Sequence, residues 1–365
     1  MEFAPVLEIE DEPKEQIWYA LGPHGEAPTS RVGHTCMYLP SFGDSENDKV
    51  VILGGANPSG CFPEAHIIDL DAYEWDTPEW EGLLPRYEHA SFISSSNLGS
   101  IWVFGGAQQS ENRNCVQVLN PGSCSWKSPK VEGAAPSPRT FHTSSAAIRD
   151  KLYVFGGGDK MAKPVTDPRL HVFDAASMTW TQPETTGEPP QPRHGHIMAA
   201  VGTRLFVHGG MAEETFFSDT FCIDTNILKW ECLQVKGDIP PACAAHANVV
   251  WEKYIYIFGG MTSMGAIDSM YRYDTDTQCW SQMKFNSPGP AGRLDHSMCV
   301  IPWKIRTEPP KPELCEVKFS EDTKKSCADE NQTNEEQQVH LCLIFGGMNT
   351  EGDLFNDCYV TKLQH

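Results

Sequence analysis

Six Gly-Gly pairs recur along this 365-residue chain, at Gly54-Gly55, Gly105-Gly106, Gly156-Gly157, Gly209-Gly210, Gly259-Gly260 and Gly346-Gly347. The steps between them are 51, 51, 53, 50 and 87 residues. A fixed period near fifty marks a repeat architecture, in which each unit buries its apolar surface only against its neighbours. Each pair closes a short apolar run: VVILGG, IWVFGG, LYVFGG, LFVHGG, IYIFGG and CLIFGG. The first five pairs are followed by a Trp at nearly constant spacing, namely Trp75, Trp126, Trp180, Trp230 and Trp280. Ahead of the pairs stands an Arg-x-x-His element: Arg31/His34, Arg86/His89, Arg139/His142, Arg193/His196 and Arg293/His296. One copy departs from the rule, with Cys243 in the Arg position before His246.

Within one unit, Arg139 to Gln182, four strands are predicted: RTFHTSSAAI, KLYVFGG, RLHVFDA and MTWTQP, with Asp, Gly and Pro at the junctions. The second is apolar throughout rather than alternating, so both of its faces must be covered. Radial stacking of such sheets gives an all-β, six-bladed propeller. The Gly pair lets the chain leave the second strand through backbone conformations closed to other residues. The fourth-strand Trp fills the gap that widens as blades diverge from the axis. The Arg and His lie where the chain leads into the innermost strand, within reach of connecting loops.

The sixth unit stops at His365 with neither a fourth strand nor a Trp, while the N-terminal EQIWYALGP carries an orphan Trp18. Residues 16–21 are therefore predicted to form the outer strand of the last blade, which removes an open sheet edge. Residues 16–365 then make one propeller, preceded by an acidic, flexible stretch at 1–15. The 87-residue step predicts a disordered, charged insertion at about 304–338. It has six basic and nine acidic residues from Lys304 to Glu336, too little apolar surface to fold. It reads equally well as a regulatory or docking loop and as an unselected surface insertion.

The net charge of −21, from 28 basic and 49 acidic residues, repels a nucleic-acid backbone and an anionic lipid surface alike. The 13 cysteines are odd in number and show no Cys-x-x-Cys spacing, and MEFAPVLEIEDEPKE is no signal segment. These features predict reduced thiols, mostly core, in a cytoplasmic protein. The sequon Asn331-Gln332-Thr333 is then a chance match. No apolar run approaches the roughly 20 residues of a membrane span, so membrane association would come through a partner. GGGDK (156–160) lacks the Gly-Lys-Ser/Thr ending of a phosphate loop, and no Gly-x-Ser-x-Gly elbow occurs.

Gly pair, spaced Trp and Arg-x-x-His together resemble the kelch repeat, over essentially the whole chain. The resemblance implies a kelch propeller. Galactose-oxidase-like members hold copper with two Tyr and two His around a Cys-crosslinked Tyr and carry accessory domains, which this chain lacks. Iron-binding specifier proteins use Glu-x3-Asp-x3-His, which is absent here. The six His repeat at one structural position instead of converging on one cluster. A non-enzymatic chain without metal or cofactor is expected.

In this family the face formed by the post-glycine loops and the loops leading into the first strands commonly binds partner peptides, with Arg at the leading position. Carried over by position, Arg31, Arg86, Arg139, Arg193 and Arg293 would ring that face and attract a carboxylate-bearing partner; internal bracing is the competing reading. Phe62, Phe217, Ile267 and Phe355 fall seven or eight residues after their pairs and are expected to start third strands in the core. Phe216 and Met264 lie outside that register on adjacent blades and are candidate partner contacts. GLLPRYEHASFI (82–93), NRNCVQVLNP (112–121), RTFHTSSAAI (139–148), RLDHSMCVIPW (293–303) and FGGMNTEGD (345–353) are similar to kelch-motif effectors of a late-endosomal Rab GTPase. That resemblance implies binding to the GTP-bound Rab and a role in endosome-to-trans-Golgi transport. It also implies peripheral recruitment to endosome membranes through a partner, as a monomer. The alternative is a peptide receptor or scaffold that holds an acidic segment on its Arg-lined face.

Overall fold

The apolar run before each Gly pair forms the second strand of a four-stranded antiparallel blade: Lys49–Leu53, Ile101–Phe104, Lys151–Val154, Arg204–His208, Tyr254–Phe258 and Gln337–Phe345. Its residues are apolar throughout because alternate side chains face different neighbours. Val50 and Ile52 pack with Ile301, Leu341 and Leu343 of the last blade, whereas Val51 and Leu53 pack with Ile101 and Val103 of the second. The computed structural model describes residues 3–41, 47–97, 99–109, 111–140, 146–159, 163–305 and 337–364. Six such sheets form a β-propeller. The innermost strands surround a central cavity of about 330 Å³ lined by residues such as Thr35, Ser91, Ala147, Asn248 and Ser297.

The fourth-strand Trp residues bind blade to blade. Trp180 packs against Phe104, Trp230 against Phe155 and Trp75 against Phe345, in each case the strand of the preceding blade. The last blade closes as expected. Trp18–Ala20 pairs antiparallel with Cys358–Lys362, with Trp18 opposite Thr361 and Ala20 opposite Tyr359. Trp18 then lies on Phe258 of blade 5, as each of the other Trp residues lies on its predecessor.

Two expectations need correction. The stretch before Trp18 is not a flexible tail: Leu7 is fully buried, its N–H donates to Ala20 O and its carbonyl accepts from the Tyr73 hydroxyl at 2.7 Å. Trp303 Nε1 likewise donates to Asp11 O at 3.0 Å. Apolar cover over the seam between blades 6 and 1 outweighs the acidic composition. The insertion is also narrower than 304–338. Ser297–Ile305 and Gln337–Phe345 stay in register as far as Ile305 opposite Gln337, because Trp303 and Ile305 are buried; residues 306–336 lie outside the described residues. In blade 3 the expected first strand is described at Ala146–Ile148, and residues 141–145, His142 among them, lie outside the described residues.

Candidate partner-binding face

Both glycines of each pair have positive φ, as at Gly54 (64°) and Gly55 (93°), and their backbone then does two jobs. The second Gly N–H donates to the carbonyl of the leading Arg or Cys of the next blade: Gly55 to Arg86, Gly106 to Arg139, Gly157 to Arg193, Gly210 to Cys243, Gly260 to Arg293 and Gly347 to Arg31, all at 2.8–3.0 Å. The first Gly carbonyl accepts from the leading Arg of its own blade. A Cβ on Gly54 would stand 2.7 Å from Arg86 O, so only glycine fits the seam.

The five arginines are therefore not a surface ring. Arg31, Arg86, Arg139, Arg193 and Arg293 are all 0–1% exposed. Their Nη1 atoms donate to Gly54, Gly105, Gly156, Gly209 and Gly346 carbonyls at 3.0–3.1 Å, or 2.8 Å for Arg293. Phe62, Phe217 and Phe355, half-buried and placed just before their third strands, stack over Arg31, Arg193 and Arg293 at 4.2–4.4 Å. A carboxylate two residues further on completes the arrangement. Arg31 Nη2 lies 3.4 Å from Glu64, Arg139 Nη2 lies 3.9 Å from Asp167, and Arg193 and Arg293 reach Asp219 and Asp357 through Nη2 at 3.1 Å. Such charge-assisted contacts, from buried guanidiniums to partly exposed carboxylates, brace the loops. The carboxylates were missed from the sequence, although they stand nine or ten residues after four of the six pairs.

The histidines clasp neighbouring blades. His34 Nε2 donates to Phe345 O at 3.1 Å and His196 Nε2 to Phe155 O at 3.0 Å. Burial, followed by the charge of Arg31, pushes His34 down to about 3, against the opposing bond to Phe345. His89, His246 and His296 are likewise held well below the usual range, chiefly by burial. They are neutral structural groups, and no group of three or more metal-ligating side chains occurs among the described residues.

What the face exposes is a set of small hairpins after the Gly pairs, including Ala107–Gln108 with Glu111–Asn112 in blade 2, Met211–Ala212 with Thr215–Phe216 in blade 4, and Met261–Thr262 with Gly265–Ala266 in blade 5. Phe216 is half-buried opposite Met211. Met264 is 93% exposed at a hairpin tip, its N–H donating to Thr262 Oγ1 at 3.1 Å. The two residues thus share a face on adjacent blades.

A family profile described as the KLHDC2/KLHL20/DRC7 Kelch-repeats domain matches residues 9–144, 44–260 and 99–307. The chain belongs to the kelch-repeat family. Among relatives, it is 64% identical over 361 residues to the Xenopus laevis protein named "Rab9 effector protein with kelch motifs", covering 98% of this chain and 99% of that one. The human protein of that name is 52% identical over 369 residues, covering 99% of each chain. The Danio rerio protein is 48% identical over 373 residues, covering all of both. Two blades of this kelch propeller depart from its own rule. Blade 5 has Cys243 and Ser269 where blades 1, 3, 4 and 6 hold Arg and a carboxylate, and blade 2 keeps Arg86 without a carboxylate.

Proposed function

We propose that this kelch chain is a Rab effector: a non-enzymatic interaction module that binds a GTP-loaded Rab GTPase and serves endosome-to-trans-Golgi transport. The observation that carries this reading is full-length identity of 64% with a protein named as a Rab9 effector. A propeller offers rigid loops on which a partner can dock, and function resides in such loops rather than in the fold. Phe216 and Met264 are the contacts proposed for the GTPase, because an exposed Met and a half-buried aromatic on the hairpins of adjacent blades supply apolar area to one face. No helix among the described residues is long and apolar enough to cross a membrane, which fits a cytoplasmic monomer recruited peripherally through the Rab.

Pull-down with Rab9 loaded with a non-hydrolysable GTP analogue or with GDP tests this directly. Retention of the GTP form alone is expected; equal retention of both forms, or of neither, would sink it. Phe216→Ala and Met264→Ala should each weaken retention, Met264→Ala at an unchanged melting temperature and the half-buried Phe216→Ala with the fold retained. An exposed truncation moves stability by less than about 0.5 kcal/mol, whereas interface anchors cost about 2 kcal/mol of binding. Full retention by both variants would place the interface elsewhere.

A further inference from the structure

Backbone hydrogen bonds make the six blades comparable residue by residue. The first Gly N–H of blades 1, 2, 4, 5 and 6 donates to the carbonyl of Glu64, Cys115, Asp219, Ser269 and Asp357 respectively. The second Gly carbonyl accepts from the N–H of Phe62, Arg113, Val165, Phe217, Ile267 and Phe355. Blade 2 therefore carries a second arginine, Arg113, where blades 1, 4 and 6 carry Phe, and a thiol where blades 1, 3, 4 and 6 carry a carboxylate. The carboxylate's absence has a different consequence here than in blade 5. There the Arg is gone too; here Arg86 stays, fully buried.

Arg86 Nη2 makes do with neutral acceptors, Gln117 Oε1 at 2.7 Å and Cys115 Sγ at 3.6 Å. Arg113 donates through Nη2 to Gln108 Oε1, and its Nε is buried with no partner. Neither guanidinium has an ion-pair partner among the described residues. Burial lowers the Arg86 pKa, and the charge of Arg113 lowers it further, against the pull of the Cys115 sulfur. Beside Arg113 the blade 2 hairpin borders an open cavity of about 240 Å³ lined by Gln108, Glu111, Asn112, Arg113, Asn114 and Cys115. Glu111 is exposed on the hairpin. Two arginines with no ion-pair contact among the described residues, beside the single carboxylate of Glu111 in the lining, form a local exception in a chain of net charge −21.

We propose that this cavity is a carboxylate-binding site, in which Arg113 receives an acidic side chain of a partner polypeptide. The incoming carboxylate fills beside Cys115 the role that Glu64, Asp167, Asp219 and Asp357 fill within their own blades. A carboxylate is the matching anion because four sister blades already set one against the arginine that corresponds to Arg86, and in blade 2 that place holds only Cys115 with Arg113 nearby. The site stands on blade 2 and not on the blade 4 and 5 hairpins proposed for the GTPase, so the two readings fail separately.

The test is fluorescence polarisation of the full chain with a labelled, amide-terminated Gly-Glu-Glu-Gly-Glu-Glu-Gly peptide, alongside Gln-for-Glu and phosphoserine-for-Glu versions, with no Rab present. The Glu peptide should bind and the Gln peptide should not. Arg113→Gln should reduce affinity about tenfold or more. Cys115→Asp should do the same by supplying the carboxylate internally, and should raise the melting temperature. Absence of Glu-peptide binding, equal binding of the Gln version, retention by both variants, or binding confined to the phosphoserine version would each overturn the proposal. Arg113→Phe, the residue found in blades 1, 4 and 6, gives a second variant already compatible with the fold.

Discussion

Replacing Trp18 by Ala tests whether the N-terminal strand holds the ring shut. The indole is 2% exposed and its ring lies 4.9 Å from that of Phe285 and 5.6 Å from that of Phe258. Gly289 has no side chain because a Cβ there would stand 2.8 Å from the indole Cδ1, so the site is filled on all sides. Truncating a buried Trp costs about 3–5 kcal/mol, from lost transfer energy and the cavity left behind. At about 2.1 cal/mol/K of melting entropy per residue, a chain of this length loses roughly 0.8 kcal/mol/K at the midpoint. The melting temperature should therefore fall by about 4–6 °C.

Scanning calorimetry measures this, with Met264→Ala as an exposed control that should not move the melt. Deleting residues 1–22 goes further, since it removes the strand facing Cys358–Lys362 and the buried Leu7 as well. A synthetic 1–22 peptide added to the 23–365 chain should then raise the melt with concentration, because it binds only the folded state. If Trp18→Ala melts with the parent and the peptide has no effect, the strand is a passenger and the ring is held by blades 1 and 6 alone.

Acid should destabilise the protein in a defined window. The buried histidines take up protons only when unfolded, so stability falls as pH drops below about 6.5, by about 2 kcal/mol per such His between pH 6.5 and 5, and for His34 the loss continues toward its folded pKa of about 3. Urea midpoints at pH 7.5 and 5 test this, and a flat profile would mean the imidazoles are solvated. Replacing 306–336 by Asn-Gly should leave the melt unaltered, because Ile305 and Gln337 already face each other across the ladder and a two-residue turn suits that geometry; a large drop would give the segment a structural role. Cys243→Arg should cost about 3–5 kcal/mol as an unpaired buried charge, and adding Ser269→Asp should recover most of it. Additive effects in that double-mutant cycle would refute the equivalence of the blades.

The ring and its closure were legible because they depend on what repeats. A Trp missing from one terminus and surplus at the other is a pattern that needs no coordinates. The N-terminal cover was not legible, since Leu7 lies in a short stretch with no strand-like alternation, broken by Pro5 and followed by acids, and its partner Tyr73 is 66 positions away. Nor was the direction of the arginines. Spacing places them on the loop face, but each guanidinium turns inward to the first Gly carbonyl of its own blade, 16 residues downstream for Arg193 and 53 for Arg293. Arg86 does so without any carboxylate, so the Gly carbonyl rather than the acid takes the arginine from the surface. Met264 was found by its failure to align, which is a signal of exposure that repeats supply readily.

A repeat therefore separates frame from function by comparing a chain with itself. Blade 5 lost Arg and carboxylate together, Cys243 with Ser269, and such a paired loss keeps the interior neutral; stability alone accounts for it. Blade 2 lost only the acid and gained Arg113 nearby, which leaves like charges adjacent and one guanidinium nitrogen buried without an acceptor. Stability alone favours the opposite choice at both positions, Phe and Asp, as blades 4 and 6 show. An unpaired buried donor that a single substitution would relieve is the kind of local conflict expected where a fold is held ready for something outside itself. The outcome of Cys115→Asp decides that point: a higher melt with lost peptide binding means the missing charge belongs to the partner, and a higher melt with binding intact means it belongs to no one.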